Sequence, residues 1–180
     1  MKNVWFTLLR VLLVGFLGVT AFAAIAAAEE TTEGSRDPLA PFEKLIGGEW
    51  HLQGTIQVFE WGVGRKSVIS KSYTVANGER TLVSEGTWFW HPGEKSIIGY
   101  FTAVGMGINL FAYRTRFDDG DLVSELVTFD ATGEPRRWLE IMEFKGDDTY
   151  SWTLYDQSTE ESKKFMDGTS TRRGVSDAGS

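Results

Sequence analysis

Short runs of strand-forming residues alternate with tight-turn signals along most of this chain, beginning at Glu49. Within each run apolar and polar residues alternate with the two-residue period of a β-strand, and the turn signals recur at intervals of roughly a dozen residues. Nearly every gap contains glycine or proline, and Asn77-Gly78 is a preferred type I′ hairpin pair. No gap is long enough for a crossover helix, so runs that are neighbours in sequence are predicted to pair antiparallel.

This pattern predicts an all-β fold with eight or nine strands. Because full closure removes the exposed edges of an up-and-down meander, we expect an antiparallel β-barrel. Before the first strand, the spacing of apolar residues from Pro38 to Gly47 predicts a short helical turn. The predicted strands are Glu49 to Trp61, Lys66 to Ala76, Thr81 to His91, Ser96 to Val104, Ile108 to Phe117, Leu122 to Phe129, Arg136 to Lys145, Thr149 to Tyr155 and, as a ninth, Lys163 to Arg172.

The first 28 residues have the pattern of an export signal. Lys2 and Arg10 form a basic start, residues 11–28 carry no charge, and Ala26-Ala27-Ala28 fits the small-residue site that signal peptidase cleaves. An uncleaved anchor is the alternative, since the uncharged stretch is nearly as long as the about 20 residues of a membrane-spanning helix. Both interpretations place the domain outside the cytoplasm, and the prediction is an exported protein that is periplasmic or secreted. The predicted organisation is a signal peptide over 1–28, a disordered lead-in over 29–37, a barrel domain over 38–173 and a disordered tail over 174–180.

Charge and composition exclude several classes of function. The net charge of −7 makes nucleic acid and anionic surfaces poor partners. The absence of cysteine removes disulfides, thiolate metal sites and thiol catalysis. With two histidines, His51 and His91, a His-rich metal site is not predicted. No motif with a fixed catalytic mechanism is present, so the sequence favours a protein that is not an enzyme.

Two segments carry a resemblance to a known class of barrels. Leu45 to Trp50 (LIGGEW), a helical turn that runs into G-x-W at the first strand, resembles the start of calycin-type barrels: lipocalins, fatty-acid-binding proteins and nitrobindin-like proteins. Glu85 to Pro92 (EGTWFWHP) resembles the central segment of bacterial lipocalin-like domains. The resemblance implies a lipocalin-like barrel with a small-ligand role. It also implies that Trp50 closes one barrel end against an arginine of the last strand, Arg172 or Arg173.

Strand alternation defines a candidate ligand site. If the aromatic-rich faces point inward, apolar rings surround one conspicuous polar residue, Glu140, and such an interior suits a small hydrophobic or amphipathic ligand. The alternative is that the same rings fill a closed core. Glu140 beside Arg114 or Arg116 would orient a ligand carboxylate, whereas a solvated outer face is the alternative for these charges. The candidate residues are Trp88, Trp90, Tyr113, Arg114, Trp138, Glu140 and Trp152.

The sequence therefore predicts an exported protein that binds a small hydrophobic molecule, with no cofactor. Three alternatives remain: an acid–base enzyme that uses His91 with Glu140 or Glu85, a haem protein that uses His91 or His51, and a structural protein of the envelope. Nitrobindin-like proteins bind haem through a histidine near the C terminus, and this chain has no histidine after His91. The sequence makes no prediction of oligomeric state.

Overall fold

A computed structural model describes residues 37–174, and within them the chain forms a closed antiparallel barrel of ten strands. The predicted all-β barrel is confirmed, although the number of strands is ten rather than eight or nine. The predicted signal peptide, the lead-in up to residue 36 and the tail from residue 175 lie outside the described residues. Among residues 37–174, no helix combines the length and the apolar character that crossing a membrane requires.

Each strand pairs with its neighbours in sequence, and the first strand closes the barrel on the last, with Trp50 opposite Arg172. The strands are β1 (Glu49–Leu52), β2 (Thr55–Trp61), β3 (Ser67–Ala76), β4 (Glu79–His91), β5 (Ser96–Ala103), β6 (Ile108–Asp118), β7 (Asp121–Asp130), β8 (Pro135–Phe144), β9 (Thr149–Asp156) and β10 (Lys163–Arg173). Short 3-10 turns occupy Ala40–Lys44 and Val63–Arg65.

The additional strand arises from a turn inside the run predicted as one strand, Glu49 to Trp61. Gln53 and Gly54 have φ values of 44° and 83°, the left-handed values that a type I′ hairpin turn requires at both central positions. The chain therefore reverses, and Trp50 of β1 pairs with Gln57 of β2. Glutamine rarely adopts a left-handed conformation, so its residue type does not predict this turn.

The N-terminal turn Ala40–Lys44, where the sequence predicts a helical turn, covers one end of the barrel. Phe42 is fully buried there and packs edge-on against Phe117, with ring centroids 5.1 Å apart, and against Trp88 at 5.4 Å. Leu45 is also fully buried in this cluster. We call this end of the interior the plug half, because buried apolar side chains fill it.

Candidate functional site

Trp50 and Arg172 hold the plug half together. The guanidinium carbon of Arg172 lies 4.5 Å from the centre of the Trp50 ring, close enough for a cation–π contact. Arg172 also donates hydrogen bonds from Nη1 to the carbonyl of Ile46 at 3.2 Å and from Nη2 to the carbonyl of Asp147 at 2.9 Å. Trp50 Nε1 donates to the carbonyl of Leu45 at 2.9 Å. These contacts tie the N-terminal turn to the strands, so the pair has a structural role in closing this end.

The other half of the interior contains a cavity of about 180 Å³, the volume of about six water molecules in the liquid. It lies toward the Gln53-Gly54 turn, since Leu52 and Thr55 on either side of that turn belong to its wall. The wall is mostly aromatic and carries a few polar groups. Its residues are Leu52, Thr55, Gln57, Ser72, Trp88, Phe101, Tyr113, Glu140, Met142, Tyr150 and Trp152. We call this region the cavity half.

Glu140 supplies the carboxyl group of this wall and is 9% exposed. Tyr113 Oη donates a long hydrogen bond of 3.5 Å to Glu140 Oε2, and the Trp152 indole donates a second hydrogen bond. Burial raises the pKa of Glu140 from 4.5 to about 7, and the two hydrogen bonds oppose this rise because they stabilise the carboxylate. Glu140 therefore changes between the neutral acid and the carboxylate close to neutral pH.

Two tyrosines and an amide complete the polar part of the wall. Tyr150 Oη donates to Gln57 Oε1 at 3.1 Å, and Gln57 Nε2 donates to Ser70 Oγ at 3.2 Å. Burial raises the pKa of Tyr150 to about 12 and the pKa of Tyr113 well above its ordinary value. Both tyrosines therefore keep their hydroxyl protons, and Glu140 is the wall residue whose charge changes near neutral pH.

Trp88 contributes a polar group that has no partner. Its ring lies against Phe101, with centroids 4.4 Å apart, and against Tyr113 at 5.8 Å. Its Nε1 is buried and makes no hydrogen bond. A buried donor without an acceptor costs about 1–3 kcal/mol, so the cavity half contains a polar group that is poorly satisfied by the protein itself.

The structure places four of the sequence-predicted ligand residues in the cavity wall: Trp88, Tyr113, Glu140 and Trp152. Trp138 is also buried but lies outside the wall. Its Nε1 donates to Thr128 Oγ1 at 3.0 Å, the Arg136 guanidinium covers its ring at 4.2 Å, and Phe165 packs on it at 5.1 Å. Neighbouring residues accept the hydrogen bond of its indole and cover its ring, so Trp138 is not part of the candidate site.

Trp90 and Arg114 lie beside two larger depressions outside the cavity. A depression of about 400 Å³ lies at the plug, where Trp90 and Pro41 form part of its wall. Another, of about 280 Å³, lies on the outer face of β5 to β8 and includes Arg114. Arg114 donates to Ser96 Oγ at 2.8 Å and forms an ion pair with Glu94. Glu140 and Arg114 are therefore on opposite faces of the barrel wall, and the expected pair between them is not formed.

Both histidines lie on the outer face of the barrel. His91 Nδ1 accepts a hydrogen bond from the backbone nitrogen of Glu94 at 3.0 Å, and His51 Nε2 lies 3.4 Å from a carboxylate oxygen of Glu49. The expected convergence of His91 with Glu140 is therefore absent, and Glu85, which alternates with the inward Trp88, also faces outward. The interior offers no imidazole to a haem iron, so these residues do not fit that cofactor. Among residues 37–174 no cluster of acidic or histidine side chains is placed to hold a metal ion.

Sequence reasoning missed seven of the eleven wall residues, among them Gln57 and Tyr150. Tyr150 is two residues before Trp152 on β9, so strand alternation was a sufficient signal for it. The turn at Gln53-Gly54 was the missing signal for Gln57. An uninterrupted strand from Trp50 would have turned the Gln57 side chain outward, because residues an odd number apart on a strand face opposite sides.

The arrangement of the cavity half allows three kinds of interaction with a small molecule: apolar contact with the rings, hydrogen bonding to neutral hydroxyls, and ionic contact with Glu140. Any proton transfer in the cavity would rest on Glu140 and Tyr113, because no histidine reaches them. A scan against protein-family models found no family that matches this chain, and a search of curated proteins found no match either. The chemistry of the cavity is therefore the basis for a function.

Proposed function

We propose that this protein binds a small hydrophobic or amphipathic molecule in the cavity between Trp88 and Glu140, and that it does so outside the cytoplasm as an exported, lipocalin-like protein. The cavity carries the ligand proposal, because an apolar wall with a few converging polar groups is typical of ligand sites. Its volume of about 180 Å³ is below the roughly 300–1,000 Å³ of sites for drug-sized molecules. The ligand is therefore small, comparable to one aromatic ring with a short side chain.

The burial of Glu140 supports a ligand over a purely structural role. Replacing a buried charged group with apolar residues of similar volume commonly leaves a protein equally stable or makes it more stable. A barrel that served only as a scaffold would gain from leucine or methionine at this position. Carboxyl groups with a strongly raised pKa in a concave site are candidates for function, and Glu140 has both properties.

The export part of the proposal rests on the sequence of residues 1–28, with its basic start, uncharged stretch and small-residue end. The absence of cysteine is compatible with either the periplasm or the medium, since the barrel closes through Trp50 and Arg172 without a disulfide.

NMR titration of the ¹⁵N-labelled protein with indole tests the ligand proposal. We expect the indole N–H resonances of Trp88 and Trp152, which lie in the wall, to shift with increasing ligand. The resonance of Trp138 should not move, because Trp138 lies outside the wall and its indole nitrogen donates to Thr128 Oγ1. Saturable shifts confined to the two wall tryptophans would support binding in the cavity.

Ser72→Phe and Ser151→Phe provide a matched pair of variants. Ser72 belongs to the cavity wall, so the new ring would occupy the space and abolish binding, whereas Ser151 lies on the outer face of β9 and its variant should bind indole normally. The ligand proposal fails if indole, phenol, 2-phenylethanol and 2-phenylethylamine all leave the wall tryptophan resonances unchanged.

A further inference from the structure

We propose that the ligand of the cavity is a small organic amine, bound as its ammonium ion with the Glu140 carboxylate as counter-charge and the aromatic wall around it. This inference rests on the proposed function and names the chemical class of the ligand. It follows from three features of the cavity half: its charges, its rings and its hydrogen-bond acceptors.

The cavity wall contains an acidic side chain, Glu140, and no basic one. The titratable side chains that face Glu140 are Tyr113 from β6 and Tyr150 from β9, and both carry neutral hydroxyls near pH 7. The wall contains no lysine, arginine or histidine. At the far end of β9, Asp156 is already paired with Arg136. A buried carboxylate without a cation is costly, and a cationic ligand removes that cost.

The charges of the cavity wall also argue against anionic ligands. A fatty acid or another carboxylate would enter a site where Glu140 repels it and where the wall has no guanidinium or ammonium group to receive it. Arg114 is on the outer face and Arg172 is engaged with the carbonyls of the plug half, so neither reaches the cavity.

The rings of the wall favour a cation as well. Trp88, Phe101 and Tyr113 form a cluster whose centroids lie between 4.4 and 5.8 Å apart, and Trp152 stands beside Glu140. The face of an aromatic ring is electronegative and attracts an ammonium group, most strongly where water is excluded. A ring cluster next to an unpaired carboxylate therefore provides two complementary contacts for one cation.

The hydrogen-bonding groups match the donors of an ammonium ion. A primary ammonium group has three N–H donors and no acceptor. Glu140 has two carboxylate oxygens, of which Oε2 receives the long bond from Tyr113, and the hydroxyls of Ser72 and Thr55 supply further acceptors in the same wall. A neutral alcohol satisfies fewer of these groups.

Binding of the ammonium ion also makes affinity depend on pH. The pKa of unliganded Glu140 is about 7, so about a tenth of the molecules carry the carboxylate at pH 6 and about nine-tenths at pH 8. An alkylamine stays protonated throughout this range, as lysine does with its pKa near 10.4. Because the ammonium binds the carboxylate form, we expect its affinity to rise about tenfold from pH 6 to pH 8.

The experiment compares three ligands that share one skeleton: 2-phenylethylamine, 2-phenylethanol and phenylacetate. Each is titrated by NMR at pH 6 and pH 8 into the wild type, Glu140→Gln and Glu143→Gln. Glu143 is a matched control because it lies on the same strand but is exposed on the outer face. At pH 8 we expect the amine to bind wild type at least about tenfold more tightly than the alcohol, with phenylacetate weakest.

In Glu140→Gln, the preference for the amine and its pH dependence should disappear while binding of the alcohol remains, and Glu143→Gln should behave as wild type. If the alcohol binds wild type as tightly as the amine at pH 8, or if the amine affinity is unchanged between pH 6 and pH 8, the amine inference is wrong and ligand binding stands. If none of the three ligands shifts the Trp88 and Trp152 resonances, the proposed function fails together with the inference. The wild-type pH comparison decides the question even if Glu140→Gln does not fold.

Discussion

The two halves of the barrel interior are built from the same strands but are packed in opposite ways. In the plug half, Phe42 and Trp50 are fully buried, and the Trp50 indole and the Arg172 guanidinium donate to backbone carbonyls. In the cavity half, Glu140 is buried without a cation, and the Trp88 indole nitrogen has no hydrogen-bond partner. The plug half is closed by side-chain hydrogen bonds to the backbone, although Arg172 Nε is a buried nitrogen without a hydrogen bond, whereas the cavity half keeps a carboxyl group beside open space.

Under the proposed function, this difference divides stability and binding between the two ends. A cavity of about 180 Å³ would reduce stability by on the order of 4 kcal/mol relative to a filled core. Small domains are stable by only about 5–15 kcal/mol in total, so such a loss has to be offset elsewhere in the fold. The full burial of Trp50 and Phe42 offers that offset, so substitutions in the two halves should have different consequences.

Truncation of one tryptophan in each half should produce the largest contrast. Trp50→Ala removes a fully buried ring, a cation–π contact and a hydrogen bond, so we expect a loss of about 3–5 kcal/mol in the free energy of unfolding. Trp152→Ala should cost less than half as much, because Trp152 is half-buried and borders space that is already open. Urea denaturation followed by circular dichroism measures both changes. Equal losses at the two positions would show that the cavity half contributes as much stability as the plug half.

Glu140 provides the next contrast through the pH dependence of stability. Its carboxyl group has a pKa of about 7 in the folded protein against an ordinary 4.5. Between these values the folded state binds more protons than the unfolded chain, so this group lowers stability as the pH rises from 4.5 to 7, with no further change above 7. The shift corresponds to about 3 kcal/mol. Relative to wild type, Glu140→Gln should therefore gain about that much stability between pH 4.5 and pH 8.

Urea denaturation of wild type and variant at pH 4.5, 6 and 8 measures this difference. Other carboxyl groups have a lowered pKa and stabilise the protein as the pH rises; in Asp156, hydrogen bonds from Ser158 and Arg136 hold the pKa at about 2. Subtracting the free energy of unfolding of wild type from that of the variant removes their contribution. A flat profile for Glu140→Gln would mean that the Glu140 carboxyl is solvated and the cavity half is not a buried site.

The fold was largely predictable because its signals are repeated along the chain. Alternating runs and glycine-containing turns such as Asn77-Gly78 recur often enough that one error does not alter the overall pattern. The G-x-W start placed Trp50 at the barrel end, and the Trp50–Arg172 contact is what that resemblance implied. The strand count failed at one position, where Gln53 adopts a left-handed conformation that its residue type rarely takes.

The site was less predictable because it depends on which aromatic rings pack into the core and which line the cavity. Strand alternation puts Trp88, Trp90 and Trp138 on inward faces, yet only Trp88 lies in the cavity wall. The N-terminal turn covers the end where Trp90 lies, and Arg136 and Phe165 cover Trp138. These contacts join residues distant in sequence, so periodicity within one strand carries no information about them.

Removal of one indole donor in each half should give the smallest and most local effect. Trp152→Phe keeps an aromatic ring but loses the hydrogen bond that stabilises the Glu140 carboxylate. The pKa of Glu140 should therefore rise above about 7. We expect a rise of less than one pKa unit, which corresponds to less than about 1.4 kcal/mol of carboxylate stabilisation. Trp50→Phe removes a comparable donor from the plug half, where the indole bonds to the carbonyl of Leu45, and should leave this pKa unchanged. ¹³C NMR titration of the Glu140 carboxyl carbon distinguishes the two variants. If both moved the pKa alike, the halves would be electrostatically coupled through the core; a shift confined to Trp152→Phe would mean that the charge of the cavity is set by its own wall.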